Sequence, residues 1–345
     1  RRHLKMKKVI ILGGAGFIGL NVAKYLIAKG NYKITIADNL SRGKMDSYLE
    51  EIISNENIDF IEGDFTKKSS FNSLGNDYDY CYMLASVVGV NNALKIPSEI
   101  IRINTLLILN TLEWLKKGAA KNVVFTSTSE NYAGTIDKFG YAIPTPEDIP
   151  LSIIDISHPR YSYAVTKILG ESSFLNYSKS YGFNCTIVRY HNVIGPRMGF
   201  KHVIPHLVER FLVNKENPFL MYGHNQTRAF CHINDAVEGT VLAIESDKSN
   251  GEIFHIGTDE EITIEQLIKT TGEFFNFDGS YKEAQTYPGS TNRRCPDISK
   301  ARNLLGYSPR FKWQESLEAT LKWYRDFFEK GEKAFETSFE EPDSV

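Results

Sequence analysis

Lys8-Val9-Ile10-Ile11-Leu12 followed by Gly13-Gly14-Ala15-Gly16-Phe17-Ile18-Gly19 decides the fold. The short run of Val, Ile and Leu reads as a buried strand. Gly13, Gly16 and Gly19 fall three apart, and Gly14, Gly16 and Gly19 spell G-x-G-x-x-G. Beyond Phe17 the pattern becomes helical, with Ile18, Val22, Leu26 and Ile27 on one face as far as Gly30. Glycine permits the tight turn, lets backbone approach a pyrophosphate, and lets helix pack closely on strand. The helix N-terminus offers free N–H groups to phosphate. A second strand, Lys33 to Ala37, ends at Asp38. That acid lies about 20 residues past the last glycine, where a ribose-binding carboxylate belongs. The stretch therefore predicts a dinucleotide site.

Outward from this point, strands and helices alternate. Strands are expected at Ile58–Glu62, Tyr80–Leu84, Asn122–Thr126 and Cys185–Arg189, and helices at about 97–117 and 161–181. Such alternation predicts an α/β fold of Rossmann type, a doubly wound parallel sheet with helices on both faces. Ligands then bind beyond the C-terminal strand ends. After about residue 195 the elements shorten, with helices expected at about 203–213, 234–245, 263–275, 299–305 and 314–329. The expected division is a dinucleotide-binding domain over 1–195, a smaller mixed lobe over 196–330, and an acidic, polar tail over 331–345. The chain has room to return to the first sheet near Glu252–Gly257.

With 345 residues, 42% hydrophobic and 24% charged, the chain has the composition of a globular protein with a large core. A net charge of −2 gives no reason to expect nucleic acid or a membrane surface as partner. No apolar run reaches the roughly 18 residues of a spanning helix, and the basic Arg1–Lys5 is followed by no apolar signal core. Cys81, Cys185, Cys231 and Cys295 show neither C-x-x-C nor zinc spacing. They read as buried free thiols in a reducing cytoplasm, with no metal site.

Two stretches suggest catalysis: Thr126-Ser127-Thr128-Ser129-Glu130 at a strand end, and Tyr163-Ala164-Val165-Thr166-Lys167 on the next helix. Spacing of i and i+4 puts Tyr163 and Lys167 on one face. A tyrosine pKa near 10 is too high for a base at pH 7. A cation about 4 Å away contributes roughly 4 kcal/mol at an effective dielectric of 20, enough to lower the pKa by up to about 3 units. Tyr163 is then expected to take the proton from a substrate hydroxyl as hydride leaves its carbon, with Thr128 holding the reacting oxygen.

These residues resemble the extended short-chain dehydrogenase/reductases that act on nucleotide sugars. The resemblance covers nearly the whole chain. It includes the glycine turn, Asp38-Asn39-Leu40-Ser41, Gly63-Asp64, Leu84-Ala85-Ser86 and Tyr163 with Lys167. It continues through Arg189–Asn192, Gly195-Pro196-Arg197, Gln226–Phe230, Arg294–Ala301 and Leu305-Gly306. It implies NAD, with Gly13, Gly16 and Gly19 at the pyrophosphate, Asp38 at the adenosine ribose, Asp64 at adenine and Lys167 at the nicotinamide ribose. Phe17, Ile18, Asn39, Leu84 and Ala85 belong to the same cofactor set. Arg42 is the one residue arguing for NADP. Ser129, Asn192, Arg228 and Arg294 are implied contacts to a nucleotide-diphosphate sugar, and Val203–Tyr222 is implied to lie against the base. A homodimer through the 97–117 and 161–181 helices is implied as well. Met83 and Ala133 stand where many relatives carry His and Gly.

The reaction is expected to begin with oxidation of the sugar's C4 hydroxyl. The leading expectation is a 4-epimerase or 4-dehydrogenase for bacterial surface-polysaccharide precursors, with a GDP-linked mannose or heptose as a candidate substrate. Thr128-Ser129-Glu130 is similar to the T-S-E of GDP-mannose 4,6-dehydratases and UDP-glucuronate decarboxylases. This keeps open a 4,6-dehydratase with Glu130 as C5 base, then a decarboxylase. Glu130 also has a plain reading as a local cap, and His191 as either a sugar contact or a core residue. A non-catalytic NAD-binding regulator is the alternative of another class.

Overall fold

The computed structural model describes residues 5–42, 45–200, 202–286 and 290–331. The acidic tail lies outside them, apart from Gly331 at its start, as do the first four residues of the basic Arg1–Lys5 stretch. Seven parallel strands form the central sheet: β1 Lys7–Leu12, β2 Tyr32–Asp38, β3 Ile58–Glu62, β4 Tyr78–Met83, β5 Ala120–Thr128, β6 Asn184–Tyr190 and β7 Ile253–Ile256. Their order is β7-β6-β5-β4-β1-β2-β3, so the winding reverses beside β1, where such sheets bind ligands. Val9 to Leu12 are essentially solvent-free because helices cover both faces of the sheet.

The first crossover shows why glycine is required there. Helix α1, Phe17–Lys29, begins at Gly16 and packs down on the turn. A Cβ on Gly19 would lie 2.6 Å from the Gly13 carbonyl oxygen, and one on Gly13, at φ +83°, 2.6 Å from the Ala85 nitrogen. Helix α2, Pro97–Leu115, pairs with α3, Ser162–Tyr181, across the sheet face. Gly170 lets α3 settle directly on the Phe125 ring of β5, and Phe125 stacks on Phe174 at 4.6 Å. This contact fixes where Tyr163 and Lys167, one to two turns earlier, meet the end of β5.

The chain beyond residue 195 serves both halves of the molecule. Helix α4, Ile233–Glu245, packs beside α1, and β7 joins β6 in register from Ile253 opposite Ile187. The rest builds a lobe over the strand ends. Its three-stranded sheet has Thr227–Ala229 between Glu261–Thr263 and Arg293–Arg294. Its core gathers Phe211, Phe219, Leu267, Leu317 and Tyr324. All four cysteines are buried free thiols. Among the described residues, no helix is long and apolar enough to cross a membrane, and no cluster of metal ligands occurs.

Candidate active site

One cavity of about 1290 Å³ runs along the C-terminal strand ends between sheet and lobe. Gly13, Gly16, Phe17, Ile18, Gly19, Asp38, Asn39, Asp64, Leu84 and Ala85 line one arm. Thr128, Ser129, Glu130, Asn192, Arg228 and Arg294 line the other, and Tyr163 and Lys167 face the same space. These cofactor, catalytic and sugar-contact candidates all line one space, whereas His191 does not.

In the first arm the glycine turn leaves a cradle that side chains would fill. Asp38 closes β2 and accepts N–H bonds from Ala15 at 3.0 Å and Leu40 at 2.8 Å. Burial raises its pKa, with the Leu40 and Ala15 N–H groups and the Arg197 charge pulling the other way. Burial also works on Asp64, but bonds from Thr66 and the charge of Lys67 hold its pKa below the usual value. A naked cradle beside a helix N-terminus, with a carboxylate at the next strand end, fits a dinucleotide. Arg42 lines the same arm.

The central residues correct one expectation. In the protein alone Tyr163 does not have the lowered pKa expected of it. The Lys167 ammonium donates to the Thr126 carbonyl at 2.8 Å and sits 5.7 Å from the centre of the Tyr163 ring. Burial pushes the Lys167 pKa down to about 7, against the charge of Glu171. Burial raises the Tyr163 pKa, the Glu130 charge adds to the rise, and Arg42 only offsets it. In the protein alone Tyr163 is a neutral phenol, because removal from water outweighs the available cations. Thr128 accepts the Glu130 N–H at 3.2 Å, which leaves its own hydroxyl hydrogen free to donate.

The sugar arm is dominated by arginine. Arg294 donates to Glu130 at 2.6 Å and to Thr291 at 3.0 Å. Burial works to raise the Glu130 pKa, but Arg294, then Arg160 and Arg228, hold it below the usual carboxylate value. Burial pushes Arg228 down to about 10, with the Arg294 charge adding to the fall. Parallel pairing sets Arg294 directly opposite Arg228 on neighbouring strands. Arg160, in the turn before α3, was not singled out from the sequence. Its only signal there is a basic residue three positions before Tyr163. The Nε groups of Arg160 and Arg294 are buried with no acceptor among the described residues. Three guanidinium groups around one carboxylate leave a surplus of positive charge and free donors, which suits an anionic ligand.

Behind this arm lies a buried scaffold. Glu171 forms a two-pronged pair with Arg189 at 2.9 and 2.8 Å and accepts from Ser127 at 2.6 Å and Asn131 at 2.9 Å. It thereby fixes both sides of the Thr128–Glu130 turn. His191 takes the core reading: it is fully buried, bonds Tyr132 through Nε2 and lies outside the cavity lining. Burial, helped by the Arg294 charge, pushes its pKa down to about 3.

Residues 9–257 match the model of the NAD dependent epimerase/dehydratase family. The chain belongs to that NAD-dependent enzyme family, whose members include nucleotide-sugar epimerases, dehydratases and decarboxylases. It is 33% identical to a UDP-N-acetyl-alpha-D-glucosaminuronate decarboxylase of Bacillus cytotoxicus, over 93% of this chain and 98% of that protein. It is 30% identical to UDP-glucuronic acid decarboxylase 6 of Arabidopsis thaliana, over 90% of this chain and 86% of that protein. Its fold is also that of a UDP-glucuronic acid 4-epimerase from Bacillus cereus, solved with UDP-glucuronic acid and NAD. The TM-score is 0.81 at 25% identity, covering 93% of this chain and 99% of the other.

Proposed function

We propose that the protein oxidises C4 of a UDP-linked hexuronate and then removes the C5 carboxylate, acting as a nucleotide-sugar decarboxylase. The observation that carries this reading is the Glu130–Arg294 pair, set beside Thr128 and Tyr163 and flanked by Arg160 and Arg228. The surplus of guanidinium groups suits a ligand with a diphosphate and a sugar carboxylate. The named relatives support a UDP-linked uronate in place of a GDP-linked mannose or heptose.

Bound NAD supplies a hydride acceptor that also returns the hydride at the end of the cycle. Tyr163 takes the C4 hydroxyl proton, and the Thr128 hydroxyl holds the C4 oxygen. The resulting 4-keto uronate is a β-keto acid. Its C5–C6 bond breaks to release carbon dioxide, and the electron pair passes to the C4 oxygen. Thr128 and Tyr163 are placed to stabilise that oxygen. Glu130 and Arg294 manage delivery of the single proton that replaces the carboxylate at C5. Residues 1–195 supply the oxidising half and 196–330 the sugar-nucleotide half, except that β7 completes the first sheet and α4 packs beside α1.

A 4-epimerase of the same uronate is the second reading, favoured by the fold shared with the Bacillus cereus enzyme. A homodimer through α2 and α3 belongs to the proposal. Exposed Ile101, Leu109 and Leu169 on those helices support it, and mass by light scattering tests it. A cytoplasmic role in surface-polysaccharide precursors completes the reading. The deciding experiment is incubation with UDP-glucuronate and UDP-N-acetylglucosaminuronate in deuterated water, followed by NMR. A pentose carrying one deuterium at C5, with carbon dioxide released, supports decarboxylation. An intact uronate inverted at C4 would replace it with the epimerase.

A further inference from the structure

Arg197 belongs to none of the roles above. It does not line the cavity, yet its side chain is only 9% exposed. Its backbone takes φ +65°, a left-handed conformation uncommon for a residue with a side chain. Such outliers persist where surrounding contacts over-determine them. Here the contacts are two: the guanidinium donates from Nη1 to the Ala15 carbonyl at 3.0 Å and from Nε to Asp46 at 2.6 Å.

Ala15 is the non-glycine residue inside the phosphate-cradling turn. Its N–H is held by Asp38 at 3.0 Å and its carbonyl by Arg197. The next N–H, on Gly16, bonds the Gly13 carbonyl at 3.3 Å. The peptides on either side of Ala15 are thus anchored by two side chains from distant parts of the chain. Asp46 uses its other oxygen to cap the helix Ser47–Ile53, accepting from Leu49 at 2.9 Å. The segment carrying Arg197 is itself tied down. Tyr324 bonds the Met198 carbonyl, and Phe200 packs edge-on against the Tyr324 ring at 5.4 Å. Trp323 donates to Tyr48 at 2.9 Å, closing the bracket from the C-terminal helix to the helix that Asp46 caps.

We infer that Arg197 is a positioning residue that retains the dinucleotide, fastening the Ala15 peptide and Asp46 to the 195–200 segment so that coenzyme stays through both halves of the cycle. The inference rests on the reading that hydride is returned within each turnover, since a chain that recycles its coenzyme in place has no need to exchange it. Because the Arg197 charge is paired with Asp46, its contribution is order: a turn held in one conformation costs less to bind.

The test is coenzyme exchange in the full-length protein, with no sugar present. Protein charged with NAD is mixed with excess isotopically labelled NAD, and bound label is followed by rapid filtration and mass spectrometry. Thermal midpoints of the NAD-free proteins are measured alongside. Arg197→Ala is expected to exchange at least about tenfold faster than the parent, as loss of bonds from a charged donor implies. Arg197→Lys, which keeps the charge but not the fork, is expected between the two. Asp46→Asn, which leaves the Ala15 bond in place, is expected to have a smaller effect. Parent-like exchange in the Arg197 variants overturns the inference. So does faster exchange that only tracks a fall in the thermal midpoint, which would make Arg197 a brace for the fold. If Arg197→Ala does not fold, Arg197→Lys and Asp46→Asn carry the same test. Because no sugar is used, failure to process any uronate leaves this result standing.

Discussion

Arg294 meets Glu130 across 164 residues of sequence, with a guanidinium-to-carboxylate distance of 2.6 Å. One partner stands on a two-residue strand of the lobe and the other just past the end of a central strand. The pair therefore exists only when lobe and sheet are correctly docked. The proposed mechanism gives this pair the chemistry that follows oxidation and not the oxidation itself, a separation that can be tested.

Glu130→Gln and Arg294→Met are expected to stop turnover after the first hydride transfer. Steady-state product should fall by about 10²–10⁴-fold, the range for loss of a positioned proton-transfer group. Absorbance at 340 nm should still rise on adding substrate. A variant that makes product at the parent's rate would remove the pair from the mechanism.

Tyr163→Phe should remove that rise in absorbance as well, again by about 10²–10⁴-fold. The phenol oxygen contributes no hydrogen bond to the fold among the described residues, so melting temperature and NAD content should be unchanged. Undiminished turnover of all sugar nucleotides tried would assign the base elsewhere.

Lys167 gives a pH dependence with a definite sign. Its pKa in the NAD-free folded protein is about 7, against 10.5 for the ordinary side chain. The fold carries the full penalty of a buried charge below about pH 7, and the penalty fades as pH rises toward 10.5. The parent should thus gain roughly 4 kcal/mol from this group across that window. Lys167→Met should lack that gain and be the more stable protein at pH 6. Urea titrations of both NAD-free proteins at several pH values give the comparison.

Glu171→Ala leaves Arg189 buried and unpaired and removes the acceptor for Ser127 and Asn131. A loss of roughly 3–5 kcal/mol is expected by chemical denaturation. Stability close to the parent's would show that the surroundings rearrange to accommodate the arginine.

Local order made much of this molecule legible in its sequence. The apolar run ending in glycines at Gly13 and the acid at Asp38 are short-range patterns, and both strands form where those patterns lie. The helices at Ile264–Phe274 and Trp313–Glu329 show the same regularity. Arg160 was not legible, because a turn residue has no periodicity and only the folded backbone turns it toward Glu130. Nor was the state of Tyr163, since spacing on a helix says nothing about how far the residue lies from water. The Arg228–Arg294 register depends on strand pairing between segments more than 60 residues apart, which no local pattern encodes.

The three-stranded lobe sheet holding Arg228 and Arg294 is assembled from three short segments, between which the chain runs back to complete the central sheet. On the proposed reading, substitutions in those segments would alter the product. The dinucleotide cradle, Tyr163 and Lys167 would stay untouched. On the proposed reading, product choice would hang on a contact that each half of the fold supplies with one residue, Glu130 from one and Arg294 from the other.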